Sequence, residues 1–214
     1  MSHTLHRRGT EENLQQDYVV FAMTAKGFNE VNSKHALKDF LRILAKYDNT
    51  VNLGDMKTGG QYLVSREQII ENVQDTSIVH AVFTDREQVK AALKELKEAE
   101  LGVSVIVSGI VEHVQEACQG AGIDRHTVEY SVGIRGKLAK LPEDEILEIT
   151  TMCGHGMVSQ HLVRQMVLDV KRGRRSSKEA GELLATPCVC GVFNPRRAQA
   201  LLDELVELWC FDEI

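Results

Sequence analysis

The sequence predicts an α/β (or α+β) fold: a small β-α-β-α-β sheet domain over residues 1–138, followed by a helical C-terminal subdomain over 139–214 that carries Cys/His loops. Three observations predict it. Short β-branched runs alternate with amphipathic stretches between residues 78 and 133, an order that favours a sheet with parallel pairs and helical crossovers. After about residue 140 the periodic segments are all helical in spacing. The composition, 43% apolar and 26% charged over 214 residues, is that of a folded domain rather than a disordered or fibrous chain.

Each element has its own local warrant. Thr10-Glu11-Glu12 resembles a helix start, and Tyr18–Met23 is a strand. Leu37, Phe40, Leu41 and Leu44 form the apolar stripe of a helix beginning near Ser33. Asn49, Asn52, Gly54, Asp55, Gly59 and Gly60 are turn formers, so residues 48–66 read as an ordered loop with a short strand at Gln61–Val64. A short helix is expected around Ile69, Ile70 and Val73. Ile78–Phe83 is a strand, and Asp85 caps a helix whose face is Val89, Leu93 and Leu96. Gly102 stops it before the strand Val103–Val107. Ile110, Val114, Ala117 and Ala121 mark the next helix, ended by Gly120 and Gly122, and Thr127–Val132 reads as a third central strand. Beyond it, Pro142 suits a first helical position, and Val163, Met166, Val167 and Val170 give a second helix. Ser176 with Glu179 is a capping box, and Asn194-Pro195 is a cap with first-turn proline for a last helix through Leu205.

The charge and the cysteines bound the function. Twenty-five Lys+Arg against 31 Asp+Glu gives a net charge of −6, which disfavours a general nucleic-acid partner. The N-terminal residues lack the apolar core of a signal peptide, and the apolar runs are far too short to span a bilayer, so the expected setting is the reducing cytoplasm. Five cysteines there are thiols, ligands or redox groups rather than structural disulfides. Cys118 and Cys210 sit among apolar neighbours and read as core residues.

The other three stand in glycine-bearing loops, Cys153-Gly154-His155-Gly156 and Cys188-Val189-Cys190-Gly191. Three thiols and an imidazole are a ligand set for zinc or for an iron–sulfur cluster, with Cys153, Cys188, Cys190 and His155 as ligands or His155 as the acid–base. The two loops lie 35 positions apart, and two antiparallel helices between 157 and 187 would bring them together. From 160 to 197 eight Lys/Arg stand against three acids, a local charge of +5. Arg196, Arg197 and Asn194 at a helix start, and Arg135 between two glycines after the third strand, are candidates for holding a small anionic molecule, a carboxylate or a phosphate. His3 and His6 add a lesser ligand pair in a tail able to fold over a site. The expected activity is therefore a metal- or iron–sulfur-dependent enzyme acting on a small anion. The alternatives are a non-catalytic ligand-binding or regulatory module, and a thiol oxidoreductase using Cys188 and Cys190. The apolar tail Leu205–Phe211 either packs back or forms a homo-oligomer.

Overall fold

The structure, a computed structural model, describes Thr4 and residues 6–209. A one-turn helix α1 (Glu11–Leu14), capped by Thr10, leads into β1 (Tyr18–Met23), α2 (Lys34–Ala45), β2 (Thr50–Asp55) and the two-residue β3 (Gly59–Gly60). Then come α3 (Arg66–Asn72), β4 (Val79–Phe83), α4 (Arg86–Ala99), β5 (Ser104–Ser108) and α5 (Val111–Gly120). An irregular stretch with a short 3-10 turn at Leu138–Lys140 precedes the helices α6 (Asp144–Thr150), α7 (Gln160–Lys171), α8 (Ser177–Ala185) and α9 (Pro195–Leu208). Mixed α/β architecture with a helical C-terminal region is thus what the chain adopts. Among the described residues no helix is long and apolar enough to cross a membrane.

The sheet order is β3-β2-β4-β1-β5, and every neighbouring pair is antiparallel. This corrects the expected parallel pairs. The helical crossovers are present, but each skips a position. β1 and β2 run the same way with β4 between them, and β4 and β5 run the same way with β1 between them. These are two interlocked split β-α-β units.

Two local expectations also change. Thr127–Val132 forms no strand: Val128, Tyr130 and Val132 are exposed at 45%, 65% and 76%. An alternating pattern needs a face to bury, and this one has none. Conversely, the turn formers of residues 50–55 make a fully buried strand, β2, while residues 61–64 make a turn in which the Leu63 and Val64 N–H groups donate to the Gly60 carbonyl. Pro142 precedes its helix by two positions, with Glu143 at the cap.

The period-2 alternation of β1 divides two cores. Tyr18, Val20 and Ala22 point to the face covered by α2 to α5, where Phe40, Leu44, Ile69, Leu93 and Cys118 pack. Val19 and Phe21 point to the opposite face with Val51 and Val82, and there the apolar stripes of α6 to α9 close over them. Caps fix where those helices start. Ser159 accepts from the Leu162 N–H, Ser176 and Glu179 complete a capping box, and Asn194 accepts from the Arg197 N–H with Pro195 in the first turn.

One contact sets the distance between sheet and loops. A Cβ on Gly54 in β2 would collide with the Cys190 carbonyl oxygen and lie 2.7 Å from His80 Nε2, and a Cβ on Gly60 would lie 2.6 Å from Gly191 Cα. Backbone therefore meets backbone, and no side chain fits between. Gly54→Ala is expected to cost about 1–3 kcal/mol through overpacking. In thermal unfolding this reads as a Tm lower by roughly 3–10 °C; an unchanged Tm would show that the loop yields freely.

Candidate functional site

Helices α7 and α8 form the return path between the two cysteine loops, and the loops meet. Cys190 Sγ lies 3.9 Å from Cys188 Sγ and 3.7 Å from His155 Nδ1. Cys153 adjoins Cys188, the group that shifts its thiol most. The four groups run in a line: Cys153, Cys188, Cys190, His155. All three cysteines are free thiols and nearly fully buried, whereas His155 stands at the surface between Gly154 and Gly156. Gly156 has a φ of +68°, the left-handed turn that carries the chain from Cys153 towards the α7 cap.

Electrostatics in this line are set by hydrogen bonds. The Cys188 thiol, hydrogen-bonded to both neighbouring sulfurs and buried, is pushed well up and keeps its proton. Cys153 is pulled down to about 6, first by the Cys188 thiol and then, against burial, by the backbone N–H groups of Met157, His155 and Val158. Cys190 is also pulled down to about 6, by Cys188 and then, against burial, by the Val192 N–H and by His155. A single S–H cannot serve two sulfurs at once, so the negative charge settles on one neighbour at a time. Backbone N–H groups aimed at sulfur stabilise thiolate, the form needed by a nucleophile or a metal ligand.

Sequence reasoning passed over the residues that hold this line in place. His80 on β4, 2% exposed, hydrogen-bonds through Nε2 with the Cys190 carbonyl. Asn52 on β2 donates through Nδ2 to the Phe193 carbonyl at 2.9 Å. Asp17, just before β1, is the anchor of a second buried cluster. It accepts from Arg7, from Arg197 Nη1 at 2.9 Å and from Asn194 Nδ2 at 3.0 Å. Arg7 also donates to the Val192 carbonyl and, at 3.4 Å, to the Met152 carbonyl, so one guanidinium ties both cysteine loops to the N-terminal segment. The only advance signal for Asp17 was a charged residue directly before a buried strand.

The predicted anion-holding residues are distributed differently. Arg197 is 1% exposed and committed to Asp17, Asn13 and the Arg8 carbonyl. Asn194 caps α9 and donates to the Gln16 carbonyl at 2.8 Å as well as to Asp17. Arg196 reaches Asn49 Oδ1 at 3.3 Å and lines a separate cavity of about 300 Å³ with Arg66, Lys178 and Glu182. Arg135 is exposed in the irregular stretch, and with no strand before it the residue does not sit at a sheet end. The basic stretch is largely paired within the fold. Arg174 and Arg175 flank Asp169, Arg164 binds Glu143 and lies over the Trp209 ring, and Lys171 donates to the Trp209 carbonyl. Of the apolar tail, Leu205, Val206 and Trp209 pack back on the helical core, while Leu208 is exposed. Cys210 and His3 lie outside the described residues, while His6 is described, with Nδ1 3.0 Å from Ser131 Oγ.

Among the described residues no group of three or more His, Cys, Asp or Glu side chains is already placed to hold a metal ion. The contacts at Cys190, 3.9 Å to Cys188 Sγ and 3.7 Å to His155 Nδ1, are of thiol hydrogen-bond length and are also close to the edges of a tetrahedral ligand set. Tetrahedral zinc with bonds of about 2.3 Å to sulfur and about 2.0 Å to nitrogen gives S–S edges of about 3.8 Å and S–N edges of about 3.5 Å. Comparison of the chain with known protein families, with curated proteins and with solved structures finds no match.

Asp17 gives a prediction with a defined sign. Burial alone would raise its carboxyl, but Arg7 and Arg197 and the Asn194 amide bring it below its ordinary 3.8. A group lowered on folding adds stability above its unfolded value, and that stability drains away as pH falls through the folded value. Asp17→Asn strands two buried guanidiniums and should cost about 3–5 kcal/mol at neutral pH, a Tm fall of roughly 10 °C. The loss should shrink below pH 4 in acid titrations of both proteins; a pH-independent difference would refute the assignment.

Proposed function

We propose that Cys153, Cys188, Cys190 and His155 form the centre of a metal-dependent enzyme acting on a small anionic molecule. The observation that carries this is the pair of edges at Cys190, 3.9 Å to Cys188 Sγ and 3.7 Å to His155 Nδ1. They favour one shared ion of the zinc kind. In an iron–sulfur cluster each thiolate binds its own iron, which splays the sulfurs further apart. The metal, when bound, would supply a Lewis acid or an electron-transfer centre. The chain's own residues hold the thiolates ready. Met157, His155 and Val158 donate backbone N–H groups to the Cys153 sulfur, and Val192 does so to Cys190. His155, exposed beside Cys190, is positioned as a fourth ligand or as a proton carrier at the edge of the centre.

A specific observation favours a second reading. Three unjoined thiols in contact, with Cys188 between the other two, are also the arrangement of a thiol oxidoreductase.

Anaerobic purification followed by metal and acid-labile sulfide analysis tests the first reading. About one equivalent of zinc is expected in the native protein, whereas iron with acid-labile sulfide would put a cluster in its place. Cys188→Ser should lose it, and Cys118→Ser, altered in the other core, should keep it. Metal-free native protein in which Cys153 or Cys190 is alkylated rapidly would overturn the metal centre in favour of thiol chemistry.

A further inference from the structure

The thiol line opens on the molecular surface at one end, where Cys153 lines a cleft of about 480 Å³. Its walls come from three parts of the chain: His6 from the N-terminal segment, Pro142 and Leu147 around α6, and Ser159 to His161 at the start of α7. A second cavity of about 570 Å³ shares His6, Pro142 and Leu147 with it, so the two form one groove past His6. That size suits a small ligand.

The charges around the groove are unevenly committed. Its two acids are paired, Glu143 with Arg164 at 2.5 Å and Asp144 with Arg8 at 2.9 Å. The His161 imidazole has no partner among the described residues. His6 uses Nδ1 for Ser131, which leaves Nε2 open. At the start of α7, a 12-residue helix, Ser159 caps the Leu162 N–H, and Ser159, Gln160 and His161 bring the positive end of the helix to the cleft wall. The groove therefore presents two imidazoles and the start of α7 in the same wall as Cys153. Such a wall offers the start of a helix and imidazole N–H groups to an anion. Pro142 and Leu147 give the apolar contact that a short carbon skeleton would fill.

We infer that this groove is the substrate site of the Cys153 centre, that it takes a small carboxylate or phosphate monoester with its anionic group at the α7 N-terminus, and that His6 and His161 touch the bound molecule. The inference rests on the thiol line being the reactive centre, and it places the substrate away from Arg196 and its cavity. His161, on the first turn of a capped helix, is the more rigidly held of the two imidazoles and is the group set to move a proton on the substrate. His6, carried by the segment that Arg7 anchors, closes the groove from the other side.

The test is a titration of the metal-analysed, full-length protein with malonate and with inorganic phosphate, followed by imidazole resonances in NMR. Shifts of the His161 and His6 signals are expected, with binding weakened about tenfold or more by the combined His6→Gln and His161→Gln changes. Arg196→Ser should change it less than twofold. Metal content, measured on the same sample, reports on the centre separately: a metal-free protein that still shifts His161 upholds the groove as the anion site while the centre's assignment fails. Neither anion moving these resonances at tens of millimolar would overturn the inference. So would loss of binding in Arg196→Ser with the histidine variants unaffected.

Discussion

The buried carboxylate of Asp17 is the constraint on which the remaining geometry depends. It lies immediately before β1, so its position follows from the sheet, and it receives Arg7, Arg197 and Asn194 from opposite ends of the chain. Two guanidiniums and one carboxylate leave an excess positive charge in a buried place. The structure offsets it with carbonyl oxygens: Met152 and Val192 for Arg7, Arg8 for Arg197. Those carbonyls are a small set in space, so the pairing specifies an arrangement as much as it stabilises one. Met152 precedes Cys153, and Val192 follows Cys190 by two residues. The loops carrying the thiols are thus located from the first strand through one arginine.

A second restraint acts from below. β2 presses glycine backbone against the Cys190–Gly191 loop, with His80 and Asn52 hydrogen-bonded to the Cys190 and Phe193 carbonyls. Held from the sheet and from the N-terminal segment, Cys188 and Cys190 have little backbone freedom. Cys153 rests on a looser loop, stiffened by N–H groups aimed at its own sulfur. Rigidity at one pair of sulfurs and adaptability at the third suits a centre that must accept a group and then a substrate. His155 and the groove lie on the adaptable side.

What could be read from the sequence was what is local. The caps at Asp85, Ser176 and Asn194 depend on residues within three positions of each other, and they occur as the spacing indicated. The core role of Cys118 was equally visible in its helix face. β2 was illegible because Asn52, Gly54 and Asp55 are turn formers in isolation, and it takes the ladder with β4 and the close approach of residues 190–193 to make them strand. Thr127–Val132 was misread for the opposite reason: a good strand pattern without a neighbour to pair. Arg197 looked free beside a helix start because its partner Asp17 is 180 positions away. The thiol line was legible as chemistry, three thiols and an imidazole among glycines. Its assembly required the hairpin of α7 and α8, which periodicity did indicate.

The span of the Asp17 cluster has a consequence for how the chain comes into being. During synthesis Asp17, Arg7 and the whole sheet leave the ribosome well before Arg197 does. Until then a sheet formed early has one face bare, where Val19, Phe21 and Val82 await α6 to α9, and an Asp17 carboxylate paired with Arg7 but lacking Arg197 and Asn194. Arg197 and Asn194, brought by the last helix, complete the hydrogen bonds of that carboxylate. The buried cluster that locates both cysteine loops is therefore complete only once α9 has been made, since Asn194 and Arg197 are among its last-synthesised members.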